Sequence, residues 1–244
     1  LILFQNRNLF SYLNYMSNKL NFSFKFTLYH ILHSLLINIF LKKTDIIMVQ
    51  TKSMYKSISK LKPLNKIIIK DLFWRNLTLD KYIDTIKKVD VCIESKLIHE
   101  IKRISKLNKV FFYPASFSPH KNHKLLLKCF NKLFENNIYN IKLLLTVDFK
   151  DLKDFSSNKE HIVCIGSQTP QMVYEIYKFV DFLIFPSLNE SLGLPLIEAS
   201  LHGIPIIASD LEYVYDVCNP TFTFNPYSED EIYYKILKSI KYNS

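Results

Sequence analysis

The 244 residues are 48% hydrophobic and 14% aromatic with no low-complexity run, which excludes a disordered or fibrous chain and leaves one large domain or parts of two. The formal charge of +10 is uneven, because residues 1–108 hold 19 Lys and Arg against 7 Asp and Glu while residues 109–244 hold 13 against 15. Four widely spaced cysteines, Cys92, Cys129, Cys164 and Cys218, form no C-x-x-C pair, arguing against a disulfide framework or a zinc site and for a reducing cytoplasm.

The chain begins at Leu1 with a strand-like LILF and no initiator Met or basic lead-in, as the interior of a longer protein would. The uncharged stretch from Phe26 to Leu41 has 16 residues. It falls short of the roughly 20 that cross a bilayer, so it reads as a buried or membrane-surface helix, with His30 and His33 structural. Strands are predicted at Asp45–Gln50, Ile67–Ile69 and Val89–Ile93, and helices at Thr51–Lys60, Leu79–Lys88 and Ser95–Leu107. That alternation predicts an α/β domain with a parallel sheet over residues 1–107. Its basic, aromatic-rich character suggests an anionic partner, either a membrane surface or a phosphorylated acceptor. Nucleic acid is the poorer choice, since zinc-ligand spacing, a basic heptad helix and an RNA-binding aromatic signature are all missing.

A second α/β domain is expected over residues 108–244, opening with the strand Lys109–Tyr113. The loop PASFSPHKNH leads into a helix over Asn122–Phe134 with apolar residues at Leu125, Leu126, Cys129, Phe130 and Leu133. In a doubly wound fold this first loop faces the ligand crevice, which sets Lys121 where phosphate would bind. Taken alone, a lysine at a helix start is more often a solvated charge. Strands follow at Ile141–Val147 and Ile162–Ile165, the latter closed by Gly166, then a helix over Pro170–Phe179 with Met172, Val173, Ile176 and Tyr177 inward. Phe182–Phe185 is the apolar run of a central strand covered on both faces.

The segment from Phe185 to Asp210 organises the rest. It reads as a strand end, a loop with Glu190 and Gly193, a short helix with Pro195 in its first turn and Gly203 just past its end, and a strand over Ile204–Ala208. Amides of Ser191, Leu192, Gly193 and Leu194 at the helix start suit an anion. Glu190 and Glu198, eight positions apart, can border one crevice and accept hydroxyls, as an acidic residue does for ribose in dinucleotide folds. Amides for phosphate between carboxylates for hydroxyls suggest a sugar nucleotide. Singly, each acid is more often a solvated loop residue or a helix residue favoured by the dipole. A strand over Thr221–Phe224 and a helix over Glu229–Ile240 close the chain.

Pro186, Ser187, Glu190, Leu192, Gly193, Leu194, Pro195, Glu198 and Ala199, followed by Gly203, Pro205 and Ser209, together resemble the donor-site signature of glycosyltransferase family 4. The resemblance implies the GT-B fold, two Rossmann-like domains with parallel sheets, the N-terminal one incomplete here. It implies a retaining, metal-independent hexosyltransferase without a cofactor. Such an enzyme moves a sugar from a nucleotide-diphosphate donor to a glycan or lipid-linked acceptor in polysaccharide or glycoconjugate synthesis, in the cytoplasm or at the inner membrane face. By the same resemblance Glu190 contacts the transferred sugar, the Ser191–Leu194 amides contact sugar and diphosphate, Glu198 holds the ribose, and Ser167 and Gln168 approach the base through their backbone. Glu190 and Lys121 are the catalytic candidates. Lys121 matches one of two diphosphate-gripping cations, whereas Ser116 stands where the family often has Arg and Ala115 where it has Gly. Asn122, His120 or a residue outside the chain are candidate substitutes. Gln5 and Asn6 fall where the family carries its acceptor-side histidine. A sugar-nucleotide epimerase of the same fold and an inactive donor-binding fragment remain as alternatives.

Overall fold

The structure, a computed structural model, describes residues 2–3, 46–59, 67–69, 81, 84, 96–152 and 160–242. The expected turn with Gln5 and Asn6, the Phe26–Leu41 stretch with His30 and His33, the Val89–Ile93 strand with Cys92, and most of the Leu79–Lys88 helix lie outside the described residues. The chain divides into two compact units, one of Leu1–Arg75 with Asn189–Gly193 and one of Asn76–Leu188 with Leu194–Ser244.

In the first unit, β1 (Ile2–Leu3), β2 (Ile47–Val49) and β3 (Ile67–Ile69) form a parallel sheet in that order, with Ile47 facing Ile2 on one side and Ile67 on the other. Ile47 and Val49 are buried, the alternation a half-covered strand requires. The chain then turns at Thr51 into α1 (Lys52–Ser59), whose Met54 N–H donates to the Thr51 hydroxyl at 3.3 Å. That bond satisfies one of the orphan donors of the first helical turn. Ser53, Met54 and Ile58 form the buried face of α1.

The first fully described element of the second unit is α2 (Lys96–Ser105), which precedes the boundary expected near Leu107 and packs here against β4 (Lys109–Tyr113). The chain continues through α3 (His123–Glu135), β5 (Ile141–Leu145), β6 (Ile162–Cys164), α4 (Pro170–Tyr177) and β7 (Phe182–Phe185). It ends with α5 (Leu194–Leu201), β8 (Ile206–Ser209), α6 (Glu212–Tyr215), β9 (Phe222–Phe224) and α7 (Glu229–Ile240). The sheet is parallel throughout, in the order β6-β5-β4-β7-β8-β9. Numbered within the unit this is 3-2-1-4-5-6, the doubly wound order whose direction of growth reverses between the first and fourth strands. Ligands bind outside the carboxyl ends of the strands at that reversal, here the ends of β4 and β7.

Successive side chains of a strand point to opposite faces, so a strand covered on both sides is apolar at every position. Both central strands meet that condition, being buried from Val110 to Tyr113 in β4 and throughout β7. Phe111 turns to one face, where its ring meets Phe130 of α3 edge-on at 5.6 Å and stacks with Phe182 of β7 at 5.2 Å. Phe112 turns to the other and meets Tyr177 of α4 at 5.3 Å. The start of β4 is tied to β7 by Asp181, whose carboxylate accepts the Val110 N–H at 2.8 Å and lies 3.4 Å from the Lys109 ammonium.

Several element ends fall one or two residues from the sequence reading, and two departures have a clear physical reason. The strand expected at Ile204 begins at Ile206, because Gly203 takes φ +67° and the Ile204 N–H closes onto the Ala199 carbonyl at 2.9 Å, capping α5. Pro205, which has no N–H to give a ladder, only accepts there, from Leu183 N–H at 3.0 Å. The one-turn helix α6, with Tyr213 and Val214 buried, went unforeseen. Four residues are too few for a periodic signal.

Candidate functional site

The loop leaving β4 carries Ser116, Lys121 and Asn122. Ser116 is exposed, and the short hydroxyl it offers in the place of a guanidinium carries no charge. Pro119 starts a single 3-10 turn over Pro119–Lys121 that ends at Asn122, whose backbone is left-handed at φ 59°, ψ 28°. Asparagine tolerates that region where most side chains clash. The Lys121 ammonium lies 5.9 Å from the centre of the Phe185 ring, placing the cation over the end of β7.

Around Lys121 the main chain is pinned from several sides. The His120 carbonyl accepts the Leu188 N–H at 2.8 Å and the Ser187 hydroxyl at 3.3 Å. The Lys121 carbonyl accepts the Tyr113 hydroxyl at 2.8 Å. The Asn122 amide nitrogen donates to the Pro186 carbonyl at 3.3 Å and the Pro226 carbonyl at 2.8 Å. Both of its hydrogens are thereby spent on protein, so in this conformation Asn122 joins three loops and does not replace the missing arginine as a phosphate donor. Ser187 is itself held from behind, its carbonyl accepting the hydroxyl of buried Tyr213 at 2.7 Å.

His123, the first residue of α3, is buried between the rings of Tyr113 at 4.9 Å and Phe117 at 5.4 Å. Burial, with the nearby Lys121 charge, lowers its pKa to about 4, so it is a neutral spacer under the loop at physiological pH.

On α5, Glu198 is half-buried and its carboxylate accepts from Tyr177 Oη at 3.4 Å, the same hydroxyl lying 3.2 Å from the Pro195 carbonyl. Tyr177 thus couples α4 to the N-terminal half of α5. One turn further on, His202 stacks on Tyr177 at 4.9 Å, and its Nδ1 lies 2.8 Å from the Glu198 carbonyl, which makes Nδ1 the protonated nitrogen. Burial pushes the His202 pKa down.

After β6, Ser167 is exposed, while the Gln168 side chain folds back to donate to the Ile165 carbonyl and lies 3.4 Å from that of Gly166. The side chain of Gln168 therefore braces its own turn.

Asn189–Gly193 is continuous in the chain with β7 and α5 but groups with the first unit. There the Thr51 hydroxyl donates to the Ser191 carbonyl at 3.4 Å, the same oxygen that caps α1. Glu190, Ser191 and Leu192 are half-buried, Gly193 is buried at φ +70°, and Leu194 is 56% exposed. Sequence reasoning missed Thr51, Tyr113, Ser187 and Tyr213 as supports of these loops. Ser187 alone had a signal, as part of the Pro186-Ser187 pair; buried tyrosines read only as core.

Among the described residues no cluster of three His, Cys, Asp or Glu side chains is arranged to hold a metal ion, and no helix is long and apolar enough to cross a membrane.

A parallel sheet in 3-2-1-4-5-6 order with the Lys121 loop at its reversal is a doubly wound, Rossmann-like domain of the kind from which the GT-B fold is built. Residues 94–242 match the family model described as glycosyl transferases group 1, and the chain belongs to that family. Over 52 residues, 21% of this chain and 12% of the relative, it is 35% identical to the D-inositol 3-phosphate glycosyltransferase of Nocardia farcinica. The fold is similar to that of a UDP-forming α,α-trehalose-phosphate synthase from Burkholderia vietnamiensis, with TM-score 0.66 and 8% identity over 89% of this chain and 58% of that one. It is also similar to Anabaena Alr3699/HepE solved with UDP and glucose, with TM-score 0.62 and 14% identity over 85% of this chain and 56% of that one. The chain thus spans little more than half the length of these structures.

Proposed function

We propose that the chain is the donor-binding part of a retaining, metal-independent glycosyltransferase that moves a sugar from a nucleoside-diphosphate carrier to a glycan or lipid-linked acceptor. The observation that carries this reading is the placement of Lys121, its neighbouring carbonyls held by Leu188, Ser187 and Tyr113, at the carboxyl ends of β4 and β7 where strand order reverses. Breaking the bond between the anomeric carbon and the diphosphate leaves growing negative charge on the departing oxygen. A cation on an anchored main chain and the backbone amides leading into α5 lower the energy of that charge, because they are already in place as it forms. Glu190 takes hydroxyls of the transferred sugar, and Glu198, steadied by Tyr177, takes those of the ribose.

A thermal-shift panel of uridine and guanosine diphosphate sugars tests the donor assignment, since a ligand that binds only the folded state raises the melting temperature by mass action. One of them is expected to stabilise the chain, and Lys121→Ala to abolish that shift. No stabilisation by either series, or an unchanged shift in Lys121→Ala, refutes the assignment. In the full-length parent, Glu190→Ala is expected to stop transfer; unchanged turnover refutes the role of Glu190. The basic first part of the chain supports docking to an anionic membrane or acceptor. Flotation with anionic liposomes but not neutral ones, weakening as salt rises, is the expected result, and equal partitioning to both refutes it.

A further inference from the structure

We propose that Asn122 is a positioning residue that acts through Lys121, clamping the loops after β4, β7 and β9 together so that the lysine's main chain cannot swing away from a bound diphosphate. This rests on the assignment of Lys121 to the donor diphosphate and says how that cation is held. Three consecutive residues are tied to the end of β4 and to the loops after β7 and β9. The His120 carbonyl takes donors from Ser187 and Leu188, the Lys121 carbonyl takes the Tyr113 hydroxyl, and the Asn122 amide bridges Pro186 and Pro226. Asn122 also makes the left-handed step that ends the 3-10 turn and begins α3, its own N–H bonded to the Pro119 carbonyl and its carbonyl to the Leu126 N–H.

A glycine would make that left-handed step at no steric cost. What glycine lacks is the planar pair of N–H donors, whose two hydrogens reach carbonyls on two separate loops. The side chain chosen at this position therefore does more than turn the chain. A lysine is a flexible point charge on four methylenes, so the accuracy with which it meets a phosphate depends on how firmly its backbone is anchored. A bound diphosphate with a loosened anchor would keep the charge in the neighbourhood and lose the hydrogen-bond geometry.

The test compares Asn122→Gly, which keeps the left-handed backbone and deletes both clamps, with the unmodified chain, using isothermal titration of uridine and guanosine mono- and diphosphates. In the unmodified chain the diphosphate is expected to bind more tightly than the monophosphate. Asn122→Gly is expected to shrink that advantage about tenfold, the equivalent of one charge-assisted hydrogen bond, while leaving the monophosphate within about twofold. Combined with Lys121→Met, the same substitution is expected to change the advantage less than about twofold, because the group it positions is gone. Equal weakening of mono- and diphosphate, or an undiminished effect without the lysine, overturns the positioning role. If the unmodified chain binds none of the four nucleotides, the donor assignment fails and this inference with it; binding with the wrong pattern overturns Asn122 alone. Should Asn122→Gly not fold, Tyr113→Phe removes only the hydroxyl bonded to the Lys121 carbonyl and is expected to cut the diphosphate advantage about threefold, with an unchanged ratio overturning the proposal.

Discussion

Gly203→Ala separates backbone strain from packing at the end of the helix that carries Glu198. Gly203 sits at φ +67°, and a Cβ built on it meets no atom within 4 Å, so the substitution creates no clash with a neighbour. What remains is the cost of holding an L-residue in the left-handed region, about 1–2 kcal/mol. Alanine also narrows the unfolded ensemble, which returns about 0.4–1 kcal/mol at sites it can occupy unstrained. The net loss is therefore about 1 kcal/mol, and Gly203→Asn, whose side chain tolerates the left-handed region, should lose less. Urea unfolding followed by the signal of the second unit measures it as a shift in midpoint with an unchanged slope. Because Gly203 lies past the C-terminal end of α5, away from the helix start, nucleotide affinity should not change. A loss above about 3 kcal/mol would show that the space is not open, and no loss at all would show that Ile204 and Gly203 do not form the cap on α5 seen here.

Other expectations concern the site and the titrating groups. Glu198→Ala should abolish the preference for ribo- over 2′-deoxyribonucleoside diphosphate, about 10-fold or more for a hydrogen bond to a charged group, and Tyr177→Phe should weaken it less; an unchanged preference in Glu198→Ala refutes the ribose role. His123 is held near pKa 4, below its unfolded value of 6.5, so the folded state binds fewer protons, the stabilisation is complete above pH 6.5, and about 3 kcal/mol of it is lost as pH falls toward 4. His202 adds loss of the same sign. Acid titrations of stability should accordingly be flatter in His123→Phe between pH 6.5 and 4, and an identical slope would mean that His123 is not buried as described. Burial raises the thiols of Cys129 and Cys218 to about 12 and that of Cys164 to about 11, so peptide mapping after iodoacetamide at pH 8 should find all three slow to alkylate until the chain unfolds. Fast native alkylation of Cys129 would contradict its burial.

Much of the second unit was legible locally. Apolar runs marked β4 and β7, an inner stripe from Met172 to Tyr177 marked α4, and Pro195 with Gly203 bracketed α5, because helix and strand periods and cap chemistry act over a few residues. The Thr169 hydroxyl, which the sequence reading passed over, accepts the Met172 N–H at 3.3 Å, and all three glycines take positive φ. Element ends were less well read, as at Ile204, where a hydrogen bond closing the helix competes with the strand ladder and wins.

The sequence by itself determined the family and the residue types at the donor loops, since those depend on chemistry spaced along the chain. Tertiary structure alone decided which loops meet. Asp181 reaches Val110 across 71 positions, Asn122 reaches Pro186 across 64 and Pro226 across 104. No local period encodes such pairings, for they exist only once the parallel sheet has set β7 beside β4, with β8 and β9 beyond it, and brought its carboxyl-end loops together. For the same reason Asn122 reads in the sequence as a ligand beside a lysine and stands in the fold as the clamp behind it.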